Sequence, residues 1–389
     1  MYTRLNRFLI GALAAWLACS CTLALADDQW QDVERIVAVG DIHGDYANFV
    51  AVLSDAGIIN ERGNWIAGNT HLVQMGDLPD RGPDTDKVIA HMRKLERQAR
   101  LAGGMVHALI GNHEAMNMSG DLRYVHPGEY AALKSLQARQ LRDEYYRRVL
   151  AYLRETQPDQ EISKDHRQQW NQQVPLGYVE HRLAWAANGD IGGWVVEHDT
   201  IIRINRTLFV HAGISPEVLG RSLTEINEQI RGELKTGVTG AASLNESEQG
   251  PLWYRGLANN DEATEAPHVE ALLAFYDVDR IVIGHTPGYG TIMPRFGGKV
   301  LLIDTGISDF YGAHLASLVL EGERILNRQR GTLLTIPTGD TELLPYLQSA
   351  AALEPAATAL QQLLTRLPAT PPEPRGQFPP DLYPLPDIP

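Results

Sequence analysis

Side chains of the types that can bind metal ions follow apolar runs at several places in this sequence. Asp41 and His43 come directly after the run Ile36–Val39, and residues two apart in an extended segment point to the same side. Carboxylate, amide or imidazole groups recur after later apolar runs, and the whole set is Asp41, His43, Asp77, Asn112, His211 and His285. Oxygen and imidazole ligands without a thiolate favour hard or borderline divalent metals.

Six such ligands are more than one tetrahedral ion needs, so the set predicts two neighbouring metal ions. Asp77 lies between the Asp41/His43 pair and the later ligands in the chain, which makes it the natural bridging carboxylate. A two-metal centre makes hydroxide available near neutral pH and stabilises in-line displacement at phosphorus. Manganese, zinc and iron all accept this mixture of ligands.

Three further residues could complete such a site. Arg81 lies four residues beyond Asp77, and a guanidinium can bind phosphate through two hydrogen bonds. Asp80 and His113 form a candidate pair, because a carboxylate orients an imidazolium and raises its pKa. His113 could then protonate the leaving group of a phosphate ester.

The elements that must position these residues are alternating strands and helices. We predict strands at Arg35–Val39, His71–Met75 and Met105–Ile110, with helices at Tyr46–Asp55 and Val88–Gln98. Each of these strands ends in candidate ligands, which indicates an α/β layered fold with a site at the carboxyl ends of strands. Further strands are predicted at Thr200–Ile204, Thr207–Val210, Arg280–Ile283, Gly290–Ile303 and Leu315–Leu320, with a hairpin turn at Gly297-Gly298.

The region between these two groups of strands is polar and helical in character. Tyr130–Glu155 is a long, charged, helix-forming stretch, and Gln157–Gln173 shows no strand pattern. We interpret residues from about 120 to 195 as a helical insertion. It is either a cap over the site or a solvated excursion, and Tyr124 and His126 come close enough after the third strand to line the site's mouth.

The two ends of the chain differ from its centre. A signal peptide is predicted over residues 1–26, from Arg4 and Arg7, the apolar run Phe8–Leu17 and the sequence Ala24-Leu25-Ala26. Its cleavage after Ala26 would leave a secreted or periplasmic protein. Lipid attachment at Cys19 or Cys21 is the alternative. The catalytic domain would span residues 27–345, and residues 346–389 would form a helix and a proline-rich tail.

The composition of the chain restricts which molecules it is expected to bind. The net charge of -14 disfavours a nucleic-acid backbone as ligand. Both cysteines lie within the predicted signal peptide, so the mature protein would contain no disulfide. After cleavage, no remaining run is long and apolar enough to span a membrane.

Taken in order, the polar segments resemble those of calcineurin-like metallophosphoesterases, in the phosphoprotein phosphatase branch. Two further segments are similar to those of the bacterial Shewanella-like phosphatases. The segments that carry the first resemblance are Gly40-Asp41-Ile42-His43-Gly44, Gly76-Asp77-Leu78-Pro79-Asp80-Arg81-Gly82, Gly111-Asn112-His113-Glu114, His211-Ala212-Gly213 and Gly284-His285. Those that carry the second are Asn117-Met118-Ser119-Gly120-Asp121-Leu122-Arg123-Tyr124-Val125 and Gly250-Pro251-Leu252-Trp253-Tyr254-Arg255-Gly256.

The resemblance implies a β-sandwich flanked by helices, with two metal ions at one sheet edge. It implies that one ion is held by Asp41, His43 and Asp77, and the other by Asp77, Asn112, His211 and His285. Arg81, Arg255 and Asn112 would contact phosphate, and His113 with Asp80 would supply the acid. Pro79 and Ala212 depart from the usual family residues, which affects expectations about substrate but removes no ligand.

We therefore expect a dinuclear metal-dependent phosphatase that hydrolyses phosphate monoesters by a metal-bridging hydroxide. Phosphotyrosine in protein or peptide is the first expected substrate, and phosphoserine or phosphothreonine the second. One alternative is a hydrolase of dinucleotide polyphosphates or other small phosphate esters. An alternative of another class is an inactive metal-binding interaction module. The sequence leaves open the metal, the physiological substrate and the oligomeric state.

Overall fold

The computed structural model describes residues 28–158, 165–238, 240, 243–355 and 358–366. Its strands are β1 Gln29–Trp30, β2 Arg35–Val39, β3 His71–Gln74, β4 Met105–Ala108, β5 Ile201–Ile204, β6 Thr207–Val210, β7 Arg280–Ile283, β8 Met293–Arg295, β9 Val300–Leu302, β10 Ala316–Glu321, β11 Arg324–Gln329 and β12 Thr332–Thr335. The predicted signal peptide and the proline-rich segment from Leu367 onward lie outside the described residues.

Helices surround these strands and also fill the region between β4 and β5. They are α1 Tyr46–Asp55, α2 Thr85–Leu101, α3 Asn112–Ser119, α4 Pro127–Leu133, α5 Ala138–Thr156, α6 His166–Gln173, α7 Tyr178–Ala184, α8 Asp190–Val195, α9 Leu223–Thr236, α10 Gly256–Asn259, α11 Glu262–Tyr276, α12 Asp340–Leu353 and α13 Ala359–Arg366. A 3₁₀ turn spans Asp309–Tyr311. Among the described residues, no helix combines the length and apolar character needed to cross a membrane.

The strands form two mixed sheets. Within the described residues, one sheet has six strands in the order β1-β5-β6-β7-β9-β8, and the other has six in the order β12-β11-β10-β2-β3-β4. The pairs β2/β3, β3/β4, β6/β7 and β7/β9 are parallel. The predicted fold class, a layered α/β fold with two sheets and flanking helices, is confirmed.

The central strands are apolar along most of their length because both of their faces are covered. Val37 in β2, Val73 in β3, Phe209 in β6 and Val282 in β7 are fully buried and belong to one hydrophobic cluster. Strands buried on both faces show continuous apolar runs in place of alternation. The two sheets therefore share one core, and their ends are held in fixed relative positions.

The carboxyl ends of neighbouring parallel strands bring distant segments together. Val39 pairs with Gln74 at the end of β2 and β3, and Val210 pairs with Ile283 at the end of β6 and β7. The loops that follow are joined by backbone hydrogen bonds, such as the 2.8 Å bond from the N–H of Gly284 to the carbonyl of His211. The candidate ligands leave the sheets from these ends.

The helix-forming stretch Tyr130–Glu155 is helical in the structure, with one interruption. The structure has two helices, α4 and α5, with a break between Leu133 and Ala138. At the break, both the N–H and the hydroxyl of Ser135 donate to Glu180 Oε1, at 3.0 and 2.7 Å. This contact comes from a residue 45 positions away, so local helix propensity did not reveal it.

Two strands near the C-terminal end were not identified from the sequence. In β11, Asn327 and Gln329 are fully buried, and they share hydrogen bonds with Thr291 and Tyr346. A strand that buries amides has no clear apolar pattern. Its neighbour β12 is a mostly exposed edge strand, which also weakens the pattern.

Gly40 is required where the two sheets approach each other. A Cβ atom at residue 40 would lie 2.4 Å from the carbonyl oxygen of Ile303. We expect Gly40→Ala to lower the free energy of unfolding by about 1–3 kcal/mol, the usual cost of overpacking. Chemical denaturation measures this change.

Gly232→Ala is the matched control, because a Cβ atom there would enter open space within α9. Alanine is favoured over glycine inside a helix, so this variant should be more stable by about 0.5–1 kcal/mol. Equal effects of the two substitutions would contradict the close approach at Gly40.

Candidate metal centre

Two groups of possible metal ligands meet at Asp77. Among the described residues, ligand atoms of Asp77, His211 and His285 lie within 4.8 Å of one another, and so do those of His43, Asp77 and His113. All five side chains are buried. Asp77 belongs to both groups and therefore lies at the centre of the site.

The carboxylate of Asp77 faces imidazoles on two sides. Its Oδ1 lies 3.4 Å from His211 Nε2, and its Oδ2 lies 4.0 Å from His43 Nε2. Asp41 Oδ2 lies 3.9 Å from the same nitrogen of His43, and Asn112 Oδ1 lies 3.0 Å from His211 Nε2. The structure thus brings Asp41 and Asn112 to the same place as the imidazoles.

Backbone carbonyls orient two of these imidazoles. His211 Nδ1 lies 2.7 Å from the carbonyl of Met75, and His43 Nδ1 lies 3.2 Å from that of Pro79. A proton on Nδ1 leaves the lone pair of Nε2 free to face Asp77, which is the usual arrangement of metal-binding histidines. Nε2 of His285 is buried and has no hydrogen-bond partner within the described part of the chain.

Burial favours the neutral form of three imidazoles of the site, those of His43, His211 and His285. Burial lowers the pKa of His43 to about 3, with the neighbouring His113 adding to the effect. Burial also lowers the pKa of His211, and it lowers that of His285 well below the ordinary range, assisted by Arg255. A metal ligand must be a neutral imidazole, so these shifts suit metal binding.

Several carboxyl groups of the site are buried close together, which disfavours the ionisation of two of them. Burial, together with Asp304 and Asp77, raises the pKa of Asp41 well above its ordinary range. Burial also raises the pKa of Asp304 to about 7. Burial opposes ionisation of Asp77 as well, but the surrounding imidazoles prevail and lower its pKa. Cations would stabilise such a group of carboxylates.

The backbone of the site is strained. Several residues other than glycine adopt positive φ there, which side chains with a Cβ atom rarely do. They are His43 at 49°, Asp77 at 57°, Asp80 at 72°, Arg81 at 66° and His285 at 64°. Strain of this kind persists where the surrounding structure enforces it, and it is concentrated at functional sites.

His113 and Asp80 are in direct contact. His113 Nδ1 lies 2.5 Å from Asp80 Oδ2, and both side chains are buried. Asn117 donates its side-chain N–H to Asp80 Oδ1 at 3.0 Å, which holds the carboxylate in place. Burial alone would lower the pKa of His113, but Asp77 and Asp80 outweigh it, so the pKa is raised. His113 therefore differs from the imidazoles around it, whose pKa values are lowered.

The two arginines approach the site from different segments. Arg255 donates from Nη1 to the carbonyl of His285 at 3.1 Å and to Thr286 Oγ1 at 2.9 Å. The Arg81 guanidinium lies over the ring of Tyr124, with its carbon 3.9 Å from the ring centroid. The N–H of Arg81 also donates to the carbonyl of Tyr124 at 3.0 Å. In addition to burial, Arg81 lowers the pKa of His43 and Arg255 lowers that of His285, so both arginines lie near the ligand cluster although Arg255 is distant in sequence.

Three residues at the site were given no role by the sequence analysis. Asp304 follows β9 as Asp41 follows β2, and this shared pattern could have revealed it. Glu114 accepts hydrogen bonds from the backbone N–H groups of Asp77, Leu78 and Gly111 at 2.9, 2.8 and 2.8 Å. Asn117 lies one helical turn after His113, a spacing that places both on one helix face.

The donor set fits divalent metal ions. It consists of buried carboxylates, imidazoles and one amide, and it includes an imidazole nitrogen of His285 without a partner in the described residues. Oxygen and nitrogen ligands of this kind suit several borderline metals, and their chemistry does not identify which one.

Two mixed sheets with carboxylates and imidazoles around one shared aspartate define a metal-dependent phosphoesterase. The calcineurin-like phosphoesterase family matches residues 34–289, which is more than half of the chain. The chain belongs to this family, and it is a hydrolase that acts on phosphate esters.

Relatives and solved structures agree with this assignment. The chain is 35% identical to an uncharacterized protein of Schizosaccharomyces pombe, over 73% of this chain and 76% of the relative. It is 28% identical to Shewanella-like protein phosphatase 2 of Arabidopsis thaliana, over 72% and 73% of the two chains. The cold-active protein-tyrosine phosphatase of a psychrophilic Shewanella species superposes with a TM-score of 0.60 and 30% identity, over 80% and 82%.

Glu114 supports the site through three buried backbone N–H groups, so its removal should be costly. We expect Glu114→Ala to lower the free energy of unfolding by about 3 kcal/mol, because an unpaired buried donor costs about 1–3 kcal/mol. Urea denaturation measures the change.

Glu225→Ala is the control, since this carboxylate also accepts a backbone hydrogen bond, from Ser222 at 2.8 Å, but on the surface. Its loss should change stability by only about 0.5 kcal/mol. A similar loss in both variants would show that Glu114 has no special structural role.

Proposed function

We propose that this protein is a phosphatase that uses two metal ions to hydrolyse phosphate monoesters. Asp41, His43 and Asp77 would hold one ion, and Asp77, Asn112, His211 and His285 the other. Such ions, whether manganese, zinc or iron, supply Lewis acidity and neutralise the charge of phosphoryl oxygens. The observation that carries this proposal is the position of the Asp77 carboxylate between two groups of buried imidazoles.

His113 is assigned as the general acid and not as a metal ligand. Its Nε2 lies 3.8 Å from Asp77 Oδ2, so distance alone would allow either role. The contact of Nδ1 with Asp80 and the raised pKa favour the imidazolium, which has no lone pair for a metal. Nδ1–H then donates to Asp80, and Nε2–H is available to protonate the leaving oxygen.

Arg81, Arg255 and Asn112 are assigned to phosphate binding. The Arg255 guanidinium is held by the carbonyl of His285 and the hydroxyl of Thr286, which restricts its rotation before substrate binds. Arg81 is restricted by the ring beneath it. Guanidinium groups that are already ordered lose less entropy when they bind an anion.

Phosphotyrosine in protein or peptide is the first proposed substrate, and phosphoserine or phosphothreonine the second. The solved structures named as cold-active protein-tyrosine phosphatases support this order, with TM-scores of 0.60 to 0.62. The curated relatives named Shewanella-like protein phosphatases support a phosphoprotein substrate.

We also propose that the protein is exported to the periplasm, because the composition of residues 1–26 is that of a signal peptide.

A substrate panel tests the proposed activity. Purified protein, loaded in turn with manganese, zinc and iron, would be given phosphotyrosine peptide, phosphoserine peptide, an aryl phosphate and a dinucleotide polyphosphate. We expect kcat/KM to be highest for phosphotyrosine among the physiological esters. A clear preference for the dinucleotide would overturn the substrate order, and inactivity with every metal would favour a binding module.

His113→Asn tests the assigned acid. We expect kcat to fall about 10²–10⁴-fold while metal content is retained, with the smallest loss for substrates that have good leaving groups. Because the pKa of His113 is raised above 6.5, wild-type kcat should decline as the pH rises through that pKa. The variant should lack this alkaline decline.

His268→Asn is the control, because His268 contacts the carbonyl of Ile214 and no ligand of the centre. Its kinetics and metal content should match the wild type. If His113→Asn instead loses metal, or loses the same factor for every leaving group, His113 is not the acid.

A further inference from the structure

Two aromatic rings from distant segments enclose the Arg81 guanidinium. Its carbon lies 3.9 Å from the ring centroid of Tyr124 and 4.8 Å from that of Phe310. Tyr124 also faces His113, with 5.2 Å between the ring centroids. The rings therefore border both the cation assigned to phosphate and the side chain assigned to proton transfer.

Phe310 presents part of its ring to solvent, with 48% of the residue exposed. A single exposed aromatic residue is ordinary on a protein surface. Phe310 differs because it lies against a guanidinium placed beside the ligand cluster. An ester whose phosphate binds Arg81 would bring its organic part close to these rings, because their centroids lie 3.9 and 4.8 Å from the guanidinium carbon.

The ring of Phe310 is held in position by the fold. It belongs to the 3₁₀ turn Asp309–Tyr311, whose first N–H donates to Asp45 Oδ2 at 2.8 Å. Asn48 Nδ2 donates to Asp309 Oδ1 at 2.9 Å, which fastens the turn to helix α1. Tyr311 packs edge-on against Phe310, with centroids 4.9 Å apart. A ring ordered in advance loses little entropy when a ligand packs on it.

We propose that Phe310 and Tyr124 form an aryl-binding wall that selects phosphate esters with an aromatic ring next to the phosphate. A phenyl ring gains stacking or edge-to-face contacts that an alkyl chain lacks. The wall would favour phosphotyrosine and small aryl phosphates over phosphoserine. This inference rests on the proposed phosphatase activity and names the residues that determine its specificity.

The test uses Phe310→Ala and Phe310→Leu, the second of which keeps apolar bulk without a ring. Phe275→Ala is the matched control, because Phe275 is also 48% exposed and its ring lies 4.9 Å from that of Tyr276. Substrates are phosphotyrosine and phosphoserine in the same peptide, together with benzyl phosphate. Benzyl phosphate combines an aromatic ring with an alkoxide leaving group, so it separates ring binding from leaving-group reactivity.

We expect both Phe310 variants to lower kcat/KM about 3- to 10-fold for phosphotyrosine and benzyl phosphate, the size of one aromatic contact. Phosphoserine turnover should stay within about twofold of wild type, the low end of such an effect. Inhibition by benzylphosphonate should weaken by the same factor as turnover, whereas inhibition by inorganic phosphate should not change. The Phe275→Ala variant should behave as wild type throughout.

An equal loss for all three substrates, with weaker inhibition by inorganic phosphate, would overturn the inference, because Phe310 would then act only through Arg81. Unchanged kinetics in both Phe310 variants would overturn it as well. If wild-type protein hydrolyses none of the three substrates, the proposed function fails and this inference fails with it.

Discussion

The site depends on one buried carboxylate, Asp77, held at the point where the ends of the two sheets meet. Its backbone carbonyl accepts hydrogen bonds from the N–H groups of Ile42 and His43, both at 3.0 Å. Its side chain accepts from the N–H of His113 at 2.9 Å, and its own N–H donates to Glu114. The loops that carry Asp41, His43 and Asn112 are thus fastened to Asp77.

The same arrangement concentrates negative charge inside the protein. Asp41 and Asp304 have raised pKa values because they are buried near one another and near Asp77. Such a group destabilises the fold unless cations neutralise it, since a buried charge without a partner is costly. Metal ions that bind the folded state alone would stabilise it by mass action, so metal binding should raise the stability of this protein. Arg255 contributes positive charge that interacts with the carboxylates of Asp304, Asp41 and Asp77.

Much of the fold and the gathering of the ligands could be predicted from the sequence, because each ligand directly follows an apolar strand. Asp41, Asp77, His211 and His285 all fit that rule, and parallel strands bring their ends to one edge. The contacts of Glu114 and Phe310 could not be predicted in this way. Phe310 reaches Arg81 because its turn is fastened to helix α1 by the hydrogen bond between Asp309 and Asp45, which are 264 positions apart. Sequence spacing gives no sign of this contact.

Anomalous X-ray diffraction from crystals grown with manganese tests the central claim most directly. Two anomalous peaks should flank Asp77, one beside Asp41 and His43 and the other beside Asn112, His211 and His285. His113 should coordinate neither ion and should keep its contact with Asp80. A single peak, or an ion bound to Nε2 of His113, would contradict a two-metal centre in which His113 is the general acid.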